Sequence, residues 1–91
     1  TIKLYVIMAK QIKLSKTDQA LIDGLAFDRD SIAKETITNP YSGDSCELDA
    51  RGVALHDYIK GCEHLMLWKK MQTGLTLFRK LYPDEYYTLL D

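Results

Sequence analysis

Residues 64–82 read HLMLWKKMQTGLTLFRKLY, and their periodicity decides the fold. His64, Trp68, Met71, Leu75, Phe78 and Tyr82 recur at steps of four, three, four, three and four. At about 100° per residue this is one face of an α-helix. Lys69, Lys70, Gln72, Thr73, Thr76, Arg79 and Lys80 fill most of the other side. Such a helix has to press its apolar stripe onto something, and the elements on either side supply the surface.

Immediately upstream, Asp49 is a good N-cap for a helix from residue 50 to about 61, with Gly61 suited to its C-terminal end. Leu55, Ile59 and Cys62 follow i, i+4, i+7, and Val53, Tyr58 and Ala54 widen that stripe. The two helices are apolar enough to pack as an antiparallel helical hairpin. Downstream, Pro83 ends the long helix and pushes Tyr82 towards extended geometry. Asp84 and Glu85 then open a last short helix that buries Tyr86, Leu89 and Leu90.

Ser15 followed by Asp18 reads as a helix start, with Asp18 able to reach back to the cap amide. Leu21, Ile22, Leu25, Ala26, Ile32 and Ala33 stay in phase beyond it. The spacing therefore predicts one helix to about Lys34; a break near Asp28 with Asp30 as a new cap is the alternative. Residues 36–48 change character. Thr36, Ile37 and Thr38 are β-branched, Asn39 to Gly43 is turn chemistry, and Ser45 to Leu48 can return. A small β-hairpin or an irregular loop fits, and two strands alone are barely stable, so the element must lie on the helices. Residues 1–8, TIKLYVIM, read as a short strand or extended arm; Met8-Ala9-Lys10 also resembles a protein start, which would make residues 1–7 an upstream extension.

With 91 residues, 46% hydrophobic and 27% charged, one domain is expected and wholesale disorder is not. The net charge of −1 calls for neither nucleic acid nor an anionic membrane. It is unevenly spread: residues 1–17 hold four lysines and no acid, and residues 18–48 hold seven acids against Arg29 and Lys34. The first apolar run is too short to span a bilayer and lacks the pattern of a secretory signal. Two cysteines do not make a disulfide scaffold, so a reducing, cytoplasmic-type setting with free thiols is expected.

The search for chemistry returns little. Cys46, His56, Cys62 and His64 are zinc-ligand types, but C-x9-H-x5-C-x-H matches no spacing that zinc modules use. No metal or cofactor is expected. Asp28 and Asp30 lack a third ligand, Asp57 points about 100° away from its neighbour His56 on a helix, and the five glycines form no phosphate loop. An enzyme is therefore not expected. Lys60, Lys69, Lys70, Arg79 and Lys80 give the helical hairpin a basic face, yet residues 49–91 balance six basic against six acidic residues. Trp68, Tyr82, Tyr86 and Tyr87 cluster aromatics in the last quarter, the residue types that interfaces use as anchors.

From residue 38 the order TNPYSG, then Leu48-Asp49, ALHDYIKG, WKKM, LFRK and PDEYYTLLD resembles small uncharacterised proteins encoded by tailed bacteriophages. The likeness covers residues 38–91 and has no catalytic motif. It implies no activity and carries over no functional residue. What it implies is a partner that is a virion component or a host protein, and a location in the host cytoplasm or the virion.

The expectation is thus a mainly α single domain spanning residues 1–91: a three-helix core, a short C-terminal helix and a small β-hairpin or loop at 36–48. Its function is expected to be non-enzymatic binding of a host or virion protein, with a homo-oligomer as the simplest form of contact and no membrane partner. Trp68, Lys69, Arg79, Tyr82, Tyr86 and Tyr87 are the expected partner-binding residues. The alternative is a small DNA-binding regulator that uses the basic face of the C-terminal helical hairpin.

Overall fold

Residues 14–90 are described by a computed structural model, and the expectations for residues 1–8 lie outside them. The described residues are mainly helical, with one small antiparallel hairpin among them. Helix α1 spans Lys16–Gly24, strands β1 and β2 span Lys34–Thr38 and Ser45–Asp49, and helices α2, α3 and α4 span Ala50–His64, Trp68–Leu81 and Pro83–Leu89.

Ser15 caps α1 as its sequence position predicts, its Oγ accepting from the Asp18 amide at 3.1 Å. Asp18 does not return to the cap. Its carboxylate turns inward and accepts from Lys80 Nζ of α3 at 2.8 Å, which ties the first helix to the hairpin. Nor does α1 run to Lys34, and no second helix starts at Asp30. It stops at Gly24 because the next residues satisfy the backbone in another way. Arg29 Nη2 lies 3.1–3.2 Å from the carbonyl oxygens of Ile22, Asp23 and Leu25, closing the helix end with a cation as the helix dipole favours. The Asp28 side chain accepts from the Asp30 amide at 3.0 Å, a local turn that competes with helix. Ile32, counted above on the apolar face, is 97% exposed.

The hairpin is real and slightly longer than expected, with Ile37 opposite Cys46 and Glu35 opposite Leu48. Asn39 organises its turn. Its Oδ1 accepts from the Tyr41 amide at 2.9 Å, and its backbone bonds both Gly43 and Asp44. Gly43 takes φ +80°, where a side chain would be strained. Asn39 Nδ2 donates to Thr88 O of α4 at 3.0 Å, so the turn is pinned to the C-terminal helix. Leu48 is buried beneath the helices, which answers how two strands persist here.

Asp49 caps α2, its Oδ1 accepting from the Gly52 amide at 2.8 Å, and Leu55, Ile59 and Cys62 are buried as their spacing predicts. The helix passes Gly61 and ends at His64. A left-handed residue, Met66 at φ 59°, then turns the chain. The Leu67 amide donates to Cys62 O at 2.8 Å and the Met66 amide to Glu63 O at 3.1 Å, the paired bonds of a Schellman C-cap.

The quoted stretch is therefore not one helix. His64 belongs to the exposed end of α2, residues 65–67 form the turn, and α3 begins at Trp68. The buried seam of α3 is Gly74, Leu77 and Phe78, with Met71, Leu75 and Leu81 partly covered. A β-carbon at Gly74 would meet Ile59 and one at Gly52 would meet Tyr82, so α2 and α3 run antiparallel in close contact. Phe78, Leu48, Leu55, Ile59 and Leu77 form the fully buried centre, joined by Ile22, Tyr82 and Leu89.

Candidate functional site

The six residues expected to bind a partner do not form one surface. Tyr82 is a correction to that expectation, because it is buried. Its ring packs on Phe78 with centroids 5.2 Å apart, and its hydroxyl finds two partners inside the fold. It donates to Asp49 Oδ1 at 2.7 Å and accepts from Arg51 Nε at 2.8 Å. Burial first, then the bond to Asp49, push this phenol up to about 12. The Asp49 carboxylate thus caps α2 and anchors α3 with the same oxygen. The remaining five residues divide between the ends of α3, since Trp68 and Arg79 are about 16 Å apart at 1.5 Å per residue. At one end Arg79 lies over the Tyr86 ring at 5.8 Å, Tyr86 is half-buried, and Tyr87 is 56% exposed and meets Tyr86 edge-on. At the other end are Trp68 and Lys69.

Trp68 has company that the sequence reading missed. Leu65, Met66, Leu67 and Trp68 are 66%, 71%, 40% and 55% exposed, four consecutive apolar residues at the hairpin tip. Lys69 and Lys70 stand beside them, exposed, and among the described residues neither is in an ion pair. A signal for this patch was available. Four adjacent apolar residues cannot all lie on one face of a helix, so the run breaks the binary pattern it interrupts. Contiguous exposed apolar surface marks contact sites more often than isolated exposed residues do. Met66 adds a second mark. A methionine in the left-handed region, where glycine costs nothing, is strain held at the most exposed point of the turn.

The groups that could carry chemistry are dispersed. Cys46 is half-buried on β2, its thiol pushed up by burial and by nearby Glu85. Cys62 is buried in α2; the Tyr58 phenol is pushed up first by its own partial burial and then by the nearby Cys62 thiol. Among the described residues no three or more His, Cys, Asp or Glu side chains gather as a metal site. Of the basic residues on the hairpin, Lys60 pairs with Glu63 at 3.6 Å and Lys80 with Asp18.

Among the described residues, the buried unsatisfied side-chain polar atom is on His56. Its Nδ1 is shut off from solvent without a hydrogen bond, 3.7 Å from Asp57 Oδ1. Burial pushes its pKa down, the Asp57 carboxylate opposes that, and Lys60 adds to it. The folded state therefore prefers the neutral ring, whereas the unfolded chain takes up a proton near pH 6.5. Stability is complete above that pH and is lost as pH falls through it towards the folded pKa. Urea titrations of the protein and of His56→Gln at about pH 7.5 and about pH 5.5 check this. The native chain should lose stability between the two and the variant should lose less; equal losses would refute the assignment.

No helix among the described residues is long and apolar enough to cross a membrane. Comparison of the chain with protein-family models, with curated proteins and with solved structures finds no match.

Proposed function

We propose that the protein is a small non-enzymatic interaction protein whose contact surface is the tip of the α2–α3 hairpin, formed by Leu65, Met66, Leu67 and Trp68 with Lys69 and Lys70 beside them. The exposure of these four adjacent apolar side chains is the observation that carries the reading. Trp is the residue most enriched at binding hot spots, and Leu and Met around it supply apolar area that excludes water. The resemblance of residues 38–91 to small phage proteins supports a virion component or a host protein as the partner class. The basic face of the hairpin gives less support to DNA binding, because carboxylates already engage Lys60 and Lys80.

The test separates folding from binding. Leu67→Asp and Trp68→Ser alter exposed positions, so each should change stability by no more than about 0.5 kcal/mol. Both should abolish cross-linking of the chain to the proteins it contacts in cells that express it. Tyr87→Ser, on α4 beyond the far end of α3, should leave that cross-linking intact. Retained cross-linking in both tip variants would remove the proposal.

A further inference from the structure

At the other end of α2 lies a groove of about 450 Å³ between the irregular segment after α1 and the start of α2. Leu48, Ala50, Val53, Ala54 and Phe27 line it. The alanines leave the space, and no buried polar group converges on it to orient a small polar ligand. Ser31 and Ala33 also line it, and Ile32 between them in sequence is exposed. Its charged residues are Glu35, Asp57 and Lys34, one net negative charge.

We infer that this groove receives the hairpin tip of a second copy of the chain. The inference rests on the reading of the tip as a contact surface and adds a second copy to the partners that this surface takes. The two surfaces are complementary in kind. A convex apolar tip carries two unpaired lysines, and a concave apolar groove carries Glu35 and Asp57, whose carboxylates are exposed. The tip cannot fill its own groove, because Ala54 and Leu65 are about 16 Å apart along α2. A net charge of −1 puts little long-range repulsion between copies. One four-residue insertion is smaller than the about 1,200–2,000 Å² that a stable complex buries. The association is therefore concentration-dependent, and it weakens with salt as the Lys–carboxylate attraction is screened.

Trp68 is the sole tryptophan and sits at the tip, so it reports on the contact directly. Sedimentation of the full chain across a concentration series should show mass rising above 10.4 kDa, with Trp68 emission moving to shorter wavelength over the same range. Leu67→Asp, which keeps Trp68, and Ala54→Arg, which fills the groove with a cation, should each weaken self-association by about tenfold or more. Mixing the two variants should restore pairing, because one supplies an intact groove and the other an intact tip. A chain that stays monomeric at its highest attainable concentration overturns the inference. So does self-association unaffected by Ala54→Arg, or a mixture that fails to pair while both variants keep the native circular dichroism. If the chain is monomeric yet Leu67→Asp still abolishes cross-linking to another protein, the second copy is excluded and the tip stands as a contact surface. If neither changes, both readings fall.

Discussion

Phe78→Ala is expected to cost about 3–5 kcal/mol, the range for truncating a fully buried aromatic residue. Phe78 has no exposed surface and sits where Ile22 of α1, Leu48 of β2, Leu55 and Ile59 of α2 and Leu89 of α4 converge. Its removal opens a cavity among five elements at once, and each is too short to relax around it alone. The cost is a large share of the about 5–15 kcal/mol that holds an ordinary domain together. At about 4–8 °C per kcal/mol for a chain of this size, the midpoint of thermal unfolding falls by at least about 12 °C. Trp68→Ala makes the matching control. It deletes a larger ring from an exposed position and should stay within about 0.5 kcal/mol. Thermal and urea unfolding followed by circular dichroism decide both. A Phe78→Ala loss below about 1 kcal/mol would mean that the centre of the core lies elsewhere.

That pair of variants also marks how far the sequence could be read. Trp68 and Phe78 fall on one periodic stripe and look equivalent by spacing, yet one is exposed and the other is central. Features that depend on one residue and its immediate neighbours were legible. The caps at Ser15 and Asp49, the turn at Asn39 to Gly43 and the stop at Pro83 are of this kind, as is the Leu55, Ile59 and Cys62 seam. Features that depend on a side chain arriving from elsewhere were not. The end of α1 is set by Arg29 reaching back to three carbonyls, and no periodicity encodes that. The break at residues 65–67 rests on Met66 in a conformation that glycine usually supplies, so the one nearby glycine, Gly61, drew the expected boundary too early. At the candidate site, aromatic composition pointed to Trp68 but also to Tyr82, whose hydroxyl is spent on Asp49 and Arg51 inside the fold. Leu65, Met66 and Leu67 were missed because they were counted as helix, where a consecutive apolar run would have been half buried.

The closeness of α2 and α3 leads to the second large effect, and it is one of sign. Glycine inside a helix costs about 0.8–1.0 kcal/mol relative to alanine. Gly61 of α2 and Gly74 of α3 both lie inside helices of the same hairpin, so propensity alone predicts that alanine stabilises at either position. At Gly61 a β-carbon would meet nothing within 4 Å, and Gly61→Ala should add about the full propensity difference. At Gly74 a β-carbon would lie 2.9 Å from Ile59 Cγ1 and 3.4 Å from two ring atoms of Tyr58. Ile59 is buried and β-branched, so its Cγ1 has no free rotamer to retreat into, and the helices must separate instead. Overpacking of this kind costs about 1–3 kcal/mol, which outweighs the propensity gain, so Gly74→Ala should destabilise where Gly61→Ala stabilises. Gly74→Leu cannot be accommodated by a small separation and should cost about 3 kcal/mol or more. Urea unfolding of the three variants measures the effect against one baseline. If Gly74→Ala stabilised the chain as Gly61→Ala does, the helices would not be in contact there, and the hairpin that presents residues 65–68 at its tip would be held differently.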